Sequence, residues 1–141
     1  MVICIFLSFP TEREKDMGAS FREMIVWQRA VEMSLAIYRL TSSFPSSEQF
    51  GLSNQLRRAA VSVASNIAEG YGRNSKGEYL QFLGHARGSD FEVQTQLEIA
   101  KKLKYGNAQA FESAEDLAAE VGRMLVVMMQ KVRGSTRTVN A

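Results

Sequence analysis

Apolar residues along this chain recur at alternating steps of three and four, the spacing that gathers side chains on one side of an α-helix. The first such run covers about Phe21 to Ser43, with Trp27, Ala30/Val31, Ser34, Ile37/Tyr38, Thr41 and Phe44 on its predicted inner face. Pro45 ends it, because proline keeps the residue before it out of helical geometry. The second run covers about Leu52 to Tyr71, with Leu56, Ala59/Ala60, Val63 and Ile67 as its row. Ala64 and Ala68 beside that row are small enough to let a neighbouring backbone come close. Gly70-Tyr71-Gly72 supplies two glycines able to take the left-handed turn that often closes a helix.

The third run, about Lys76 to Lys104, opens with Ser75 and Glu78 in the arrangement of a capping box. Its predicted buried stripe is Tyr79, Phe82/Leu83, Ala86, Val93, Leu97, Ala100 and Leu103. Gly88 sits mid-run, where it costs about 1 kcal/mol relative to alanine, and a close helix crossing is the expected reason for it. The fourth run, about Ala108 to Val132, has Phe111, Ala114, Leu117/Ala118, Val121, Leu125, Met128 and Val132 on its inner face. Val126, Val127 and Met129 make its end apolar on a second side, which predicts a second partner. Four amphipathic helices joined by short turns predict an all-α, antiparallel up-down-up-down four-helix bundle over residues 21–133. Residues 1–20 are then an N-terminal extension and 134–141 a short basic tail. Met1–Phe9 is apolar, but it lacks a basic start and runs straight into Pro10 and a charged stretch, so it is not read as a secretory signal. Two readings of residues 1–16 stay open, a disordered arm or a translated extension ahead of a natural start at Met17.

Composition acts mainly by exclusion. Hydrophobic residues make up 45% and charged residues 23%, an ordinary globular balance rather than a disordered one. The formal net charge of +2 is too small by itself to mark a nucleic-acid binder. No apolar run reaches the ~20 residues of a membrane span, so the expected location is the cytoplasm, with no membrane association. The single cysteine, Cys4, excludes an internal disulfide framework and a cysteine-based metal site. Helix bundles often hold di-metal centres built on Glu-x-x-His pairs, but the only histidine, His85, does not follow a glutamate at that spacing. Neither a metal nor a cofactor is expected. Nucleophilic catalysis is as poorly supplied, since no serine has a general base other than His85.

Polar residues form two rows along helical sides. The second helix carries Gln55, Arg57/Arg58, Ser62, Asn66 and Glu69, and the third carries His85, Ser89, Glu92 and Gln96. Two readings are open. One is a structural hydrogen-bond network between helices, with Arg57 or Arg58 paired to Glu69 or Glu92. The other is a binding or catalytic groove, which as an enzyme would use Glu69, His85 and Glu92. The turn from Gly70 to Gly77 joins two glycines, Arg73, Lys76 and a helix start, a combination able to hold phosphate on backbone N–H groups. It does not match the P-loop spacing, and an ordinary connecting turn is the alternative. Between Leu52 and Gly88, five basic residues (Arg57, Arg58, Arg73, Lys76, Arg87) stand against Glu69 and Glu78. Lys101, Lys102 and Lys104 form a second patch, and Lys131, Arg133 and Arg137 a third. Arg57, Arg58, Arg73, Lys76, Lys101 and Lys102 are therefore the candidate phosphate contacts, while Trp27, Tyr38 and Phe82 are assigned to core or subunit packing. Solubilising surface charge is the competing explanation of the basic residues.

Several of these residues also fall into a specific ordered pattern. Val26-Trp27-Gln28-x-Ala30 is followed by Phe44-Pro45, Glu48-x-x-Gly51-Leu52, Gln55-Leu56-Arg57-Arg58-Ala59-x-Val61-Ser62, Asn66-Ile67-Ala68-Glu69-Gly70 and Gly88-Ser89. Over about Phe21 to Val132 this resembles the four-helix-bundle family named after the proteins encoded in intervening sequences of bacterial 23S rRNA genes. The resemblance implies a ring-like homopentamer without established enzymatic activity. It also implies kinship with the accessory proteins of diversity-generating retroelements, basic pentamers that bind a reverse transcriptase and nucleic acid. Ala64 stands where many relatives have proline, and Asp90-Phe91 departs from the family pattern in a way expected to alter a local surface. The reading that follows is a non-enzymatic, homo-oligomeric helical bundle acting as an RNA- or DNA-associated accessory or scaffold. Its partners would be other copies of itself, RNA or DNA, and a reverse transcriptase or another protein. The alternative is a protein–protein adaptor that uses Val126, Val127 and Met129 and binds no nucleic acid.

Overall fold

Side-chain hydrogen bonds mark the starts of three of the helices. Ser75 Oγ accepts a hydrogen bond from the Glu78 N–H at 3.1 Å and pairs with the Glu78 carboxylate. Asn107 Oδ1 accepts from the N–H groups of Gln109 and Ala110 at 2.9 and 3.1 Å. Where Gly51 offers no side chain, Glu48 Oε2 reaches the Leu52 N–H at 2.8 Å. Each such cap contributes about 1 kcal/mol. In the computed structural model, which describes residues 20–134, the helices are α1 (Ile25–Thr41), α2 (Leu52–Tyr71), α3 (Lys76–Lys102) and α4 (Ala108–Gly134). Short 3₁₀ turns at Phe21–Glu23 and Ser46–Glu48 precede α1 and α2. The described residues contain no strand. The expected N-terminal extension and basic tail lie outside them, apart from Ser20, which caps the first 3₁₀ turn, and Gly134, which ends α4.

Each helix packs on the next in sequence and α4 packs back on α1, so the four enclose a shared core. Met33, Ile37 and Leu40 from α1 meet Leu56, Val63 and Ile67 from α2, Tyr79, Leu83 and Leu97 from α3, and Leu125 and Met128 from α4. Full burial of a large apolar side chain of this kind is worth roughly 1.5–3 kcal/mol. The predicted rows of α2 and α4 are the ones observed. On α1 the inner face is rotated: Val26, Met33, Ala36 and Leu40 are buried, while Trp27 and Ser34 lie at its edge and Tyr38 faces outward. Leu103 is exposed because α3 ends one residue before it. Met129 is buried, so the second apolar side of α4 is left to Val126 and Val127.

Three glycines behave differently from expectation. Gly88 meets no neighbour, and its position is exposed rather than at a crossing. Gly70 is the close-approach residue of α2: a Cβ there would lie 3.0 Å from the Cβ of Phe82 and 3.1 Å from Tyr79 Cδ2. Gly72 closes α2 with φ −76°, so no left-handed turn is used there. Positive φ occurs instead in the α3–α4 turn, at Lys104 (60°) and Gly106 (81°). A Cβ on Gly106 would lie 2.7 Å from Leu40 Cδ1 and 3.1 Å from Phe44 Cε1.

These placements predict opposite outcomes for two glycine substitutions. Gly106→Ala combines an unfavourable backbone conformation with a clash and should destabilise the protein by about 1–3 kcal/mol. Gly88→Ala, exposed and mid-helix, should stabilise it by about 0.5–1 kcal/mol. Urea unfolding midpoints of the two variants check both signs, and a tolerated Gly106→Ala would contradict this account of the turn.

Candidate functional site

On the α2–α3 face the structure gathers three residues of the predicted polar row. Ser62 Oγ lies 2.9 Å from Ser89 Oγ across the helix pair, and Asn66 Nδ2 donates to the Ser62 carbonyl at 2.8 Å and to its Oγ at 3.0 Å. Gln55, Glu69 and Glu92 are exposed. Gln96 is half-buried, and its Oε1 has no hydrogen-bond partner among the described residues. His85 is exposed and sits edge-on to the Phe82 ring at 5.9 Å. Arg57 turns away from the carboxylates of this face towards α1, where its Nε donates to Thr41 Oγ1 at 2.8 Å and its guanidinium lies 4.7 Å from the Tyr38 ring centre. It fastens the start of α2 to the end of α1.

The candidate basic residues divide between the two ends of the bundle. Arg57 and Arg73 are sixteen positions apart on or just past α2, about 24 Å at a helical rise of 1.5 Å per residue. Near the Arg57 end, Lys101 pairs with Glu115 at 3.2 Å and Lys102 with Glu98 at 3.5 Å, while Arg58 is exposed. At the other end Arg73 lies 4.5 Å from the Phe82 ring centre. Lys76 Nζ donates to the carbonyl of Arg133 at 2.8 Å, so the start of α3 meets the last turn of α4. Lys76 and the backbone of Arg133 thus meet at this end, with Arg73 just before α3, Lys131 on the last turns of α4, and Glu69 and Glu78 as the acids on the same turns.

The other two faces carry features that the sequence reading did not single out. Between α1 and α4, Arg29 grips Glu120 with two hydrogen bonds of 2.9 and 2.7 Å and also pairs with Glu32. The open groove there, about 490 Å³, is further lined by Glu112 and Asp116. Between α3 and α4, Asp90 is fully buried. Gln94 Nε2 donates to its Oδ2 at 2.7 Å, and Oδ1 has no partner among the described residues. Burial pushes the Asp90 carboxyl up to about 6, against a smaller opposing effect of the Gln94 bond. Gly122 makes the room, since a Cβ there would lie 2.8 Å from Asp90 Oδ2. Of the Asp90-Phe91 pair expected to alter a surface, only Phe91 is at the surface. Asp90 was detectable, because it continues the row Leu83, Ala86, Val93 and Leu97 at steps of three and four. The Arg29–Glu120 pair spans 91 positions and left no local signal.

Among the described residues no cluster of three or more histidine, cysteine, aspartate or glutamate side chains is placed to hold a metal ion. No helix there is long and apolar enough to cross a membrane.

Comparison with known proteins adds the following. The family described as 23S rRNA-intervening sequence protein matches residues 22–127. A crystal structure of a protein of unknown function from the S23 ribosomal protein family of Bacteroides thetaiotaomicron VPI-5482 superposes with a TM-score of 0.68 at 21% identity. The similarity covers 75% of this chain and 99% of that one, and at that identity it speaks for the fold alone. No curated protein matches.

Asp90 generates a prediction about pH. Its folded pKa of about 6 lies above the ordinary value of 3.8, so folding favours the protonated form. The stability it allows is fully present below about pH 4 and is lost as pH rises through 6, on the order of 2–3 kcal/mol in all. Asp90→Asn should raise the unfolding midpoint at pH 7 and flatten the slope between pH 4 and 6. Denaturation at a series of pH values measures this, and an unchanged slope in the variant would assign the effect elsewhere.

Proposed function

We propose, since the chain belongs to the 23S rRNA-intervening sequence protein family, that it is a non-enzymatic, homo-oligomeric scaffold associating with RNA or DNA through phosphate contacts. The bundle of this reading is antiparallel. Three meeting points of α3 with α4 support that, because Lys76 meets Arg133, Asp90 meets Gly122 and Lys101 meets Glu115, in opposite order along the two helices. The ring-like pentamer is the assembly that the family resemblance implies, and it would repeat every basic patch around one axis.

The observation that supports the nucleic-acid reading is the meeting of Lys76 with the last turn of α4, which puts Arg73, Lys76, Lys131 and Arg133 at the same end of the bundle. Phosphate contacts add up through release of condensed counterions, so a modest patch becomes effective when copies repeat it. Arg57, Arg58, Lys101 and Lys102 would form a second ring at the opposite end, weaker because Lys101 and Lys102 already face carboxylates. A non-enzymatic role agrees with the open, dispersed setting of Glu69, His85 and Glu92, all exposed. The adaptor reading draws on one observation, the exposed apolar surface of Phe91 and Val127 between α3 and α4.

Equilibrium binding of labelled structured RNA and mixed-sequence DNA across a salt series tests the proposal. We expect binding that weakens steeply with salt. Alanine at both Arg73 and Lys76 should reduce the log–log slope by about 2 for each engaged copy, with circular dichroism verifying that the double variant keeps its helices. Absence of binding at low salt would overturn the nucleic-acid reading and turn attention to protein partners.

A further inference from the structure

Apolar surface left open on a folded bundle asks for a cover. The groove between α3 and α4, about 540 Å³, has Phe91, Ala119, Val126 and Val127 along its walls and Arg123 at its rim. Phe91 is 49% and Val127 40% exposed. The Arg87 guanidinium lies 5.1 Å from the Phe91 ring centre, and its buried Nε has no hydrogen-bond partner among the described residues. No carboxylate among those residues pairs with Arg87 or Arg123. The surface that fits is therefore an apolar projection flanked by carboxylates.

The chain itself presents such a surface. On the outer side of α1, Leu35 is 50% exposed. Glu32 lies three positions before it, next to the α1–α4 groove. That groove holds four carboxylates, Glu32, Glu112, Asp116 and Glu120, against the single cation Arg29. Shape and charge are complementary: an aliphatic residue beside an acidic edge on one side, an apolar groove beside two arginines without carboxylate partners on the other.

We propose that the α3–α4 groove of one copy receives the outer edge of α1, centred on Leu35 and Glu32, from a second copy. This rests on the homo-oligomeric reading above and names its contact. The two surfaces differ, so the contact is head-to-tail and leaves each copy with one surface to give and one to receive. Such contacts close into rings where the rotation allows and otherwise run on as filaments. Here the two surfaces lie on adjacent sides of the bundle, flanking α4, so successive copies turn rather than stack in a straight line.

The test is light scattering on the full chain and on two variants, Leu35→Arg, which sets a cation against Arg87 and Arg123, and Val127→Glu, which sets a carboxylate against Glu32. Both positions are exposed, and circular dichroism verifies that each variant keeps its helices. Should either lose them, Arg123→Glu at the rim takes its place and should weaken association at least tenfold. Wild type is expected to be multimeric and each variant alone monomeric. An equimolar mixture of the two variants should then regain association, to a dimer at least, because the intact groove of one takes the intact α1 edge of the other. Variants that assemble like wild type overturn this contact and leave the homo-oligomeric reading standing. A variant that dimerises on its own shows like surfaces pairing and overturns the head-to-tail arrangement. A wild type that is monomeric at every concentration overturns the homo-oligomeric reading and this contact with it.

Discussion

Everything in this molecule depends on bringing α2 and α3 close enough to share their apolar stripes. Helices in a folded protein gain most of their stability from packing an amphipathic face rather than from propensity. Here the approach is set by what α2 lacks: Gly70 has no side chain to hold off Tyr79 and Phe82, and Ala59, Ala60 and Ala64 are small members of its buried face. At that separation the hydroxyls of Ser62 and Ser89 touch, which satisfies two polar groups and fixes the axial register of the pair. A Cβ at Gly70 would force Phe82 and Tyr79 to give way by a few tenths of an ångström. The other two helices close around this pair, α1 held to α2 by the Arg57–Thr41 bond and to α4 by Arg29 and Glu120.

A bundle whose interior is filled in this way has only its ends and outer faces for function. The ends collect helix caps, turns and most of the candidate basic residues. The faces carry the grooves, and their characters differ: hydroxyl and amide between α2 and α3, acidic between α1 and α4, apolar with arginines between α3 and α4. Exposed ion pairs such as Lys102–Glu98 contribute at most about 1 kcal/mol each, so the charges matter less to the fold than to what approaches it. The proposed phosphate contacts at an end and the proposed subunit contact on a side would therefore not compete for residues.

How much of this the sequence disclosed varied with local contrast. The row of α2 was readable because, apart from Val61 and the terminal Leu52 and Tyr71, its other positions are polar or small, leaving one choice of phase. On α1, Val31, Leu35, Ile37, Tyr38 and Leu40 surround more than half of the helix, so the period alone could not choose between a face centred on Tyr38 and the observed one containing Met33 and Leu40. Gly88 and Gly122 look alike in sequence. Only the volume on the facing helix separates them, open space beside the first and the Asp90 carboxylate beside the second. The basic residues were legible as a set but not as a site, because chain proximity hides the length of α2, which puts Arg57 and Arg73 at opposite ends. The acidic groove escaped notice because it is assembled from α1 and α4, far apart in the chain.

The α3–α4 seam joins burial, charge and exposed apolar surface in one place. It contains a buried carboxylate that loses stability near neutral pH, a glycine in place of a packed side chain, and an aromatic ring turned outward. Each feature weakens the seam as an intramolecular contact. A well-sealed α3–α4 interface would place an apolar residue at position 90 and a larger one at position 122. Local opening is easiest where buried apolar contact is sparse, and anything that binds only the closed state stabilises it by mass action. A contact laid over Phe91, Val126 and Val127 would therefore cover apolar surface and hold shut a seam that contains a buried carboxylate.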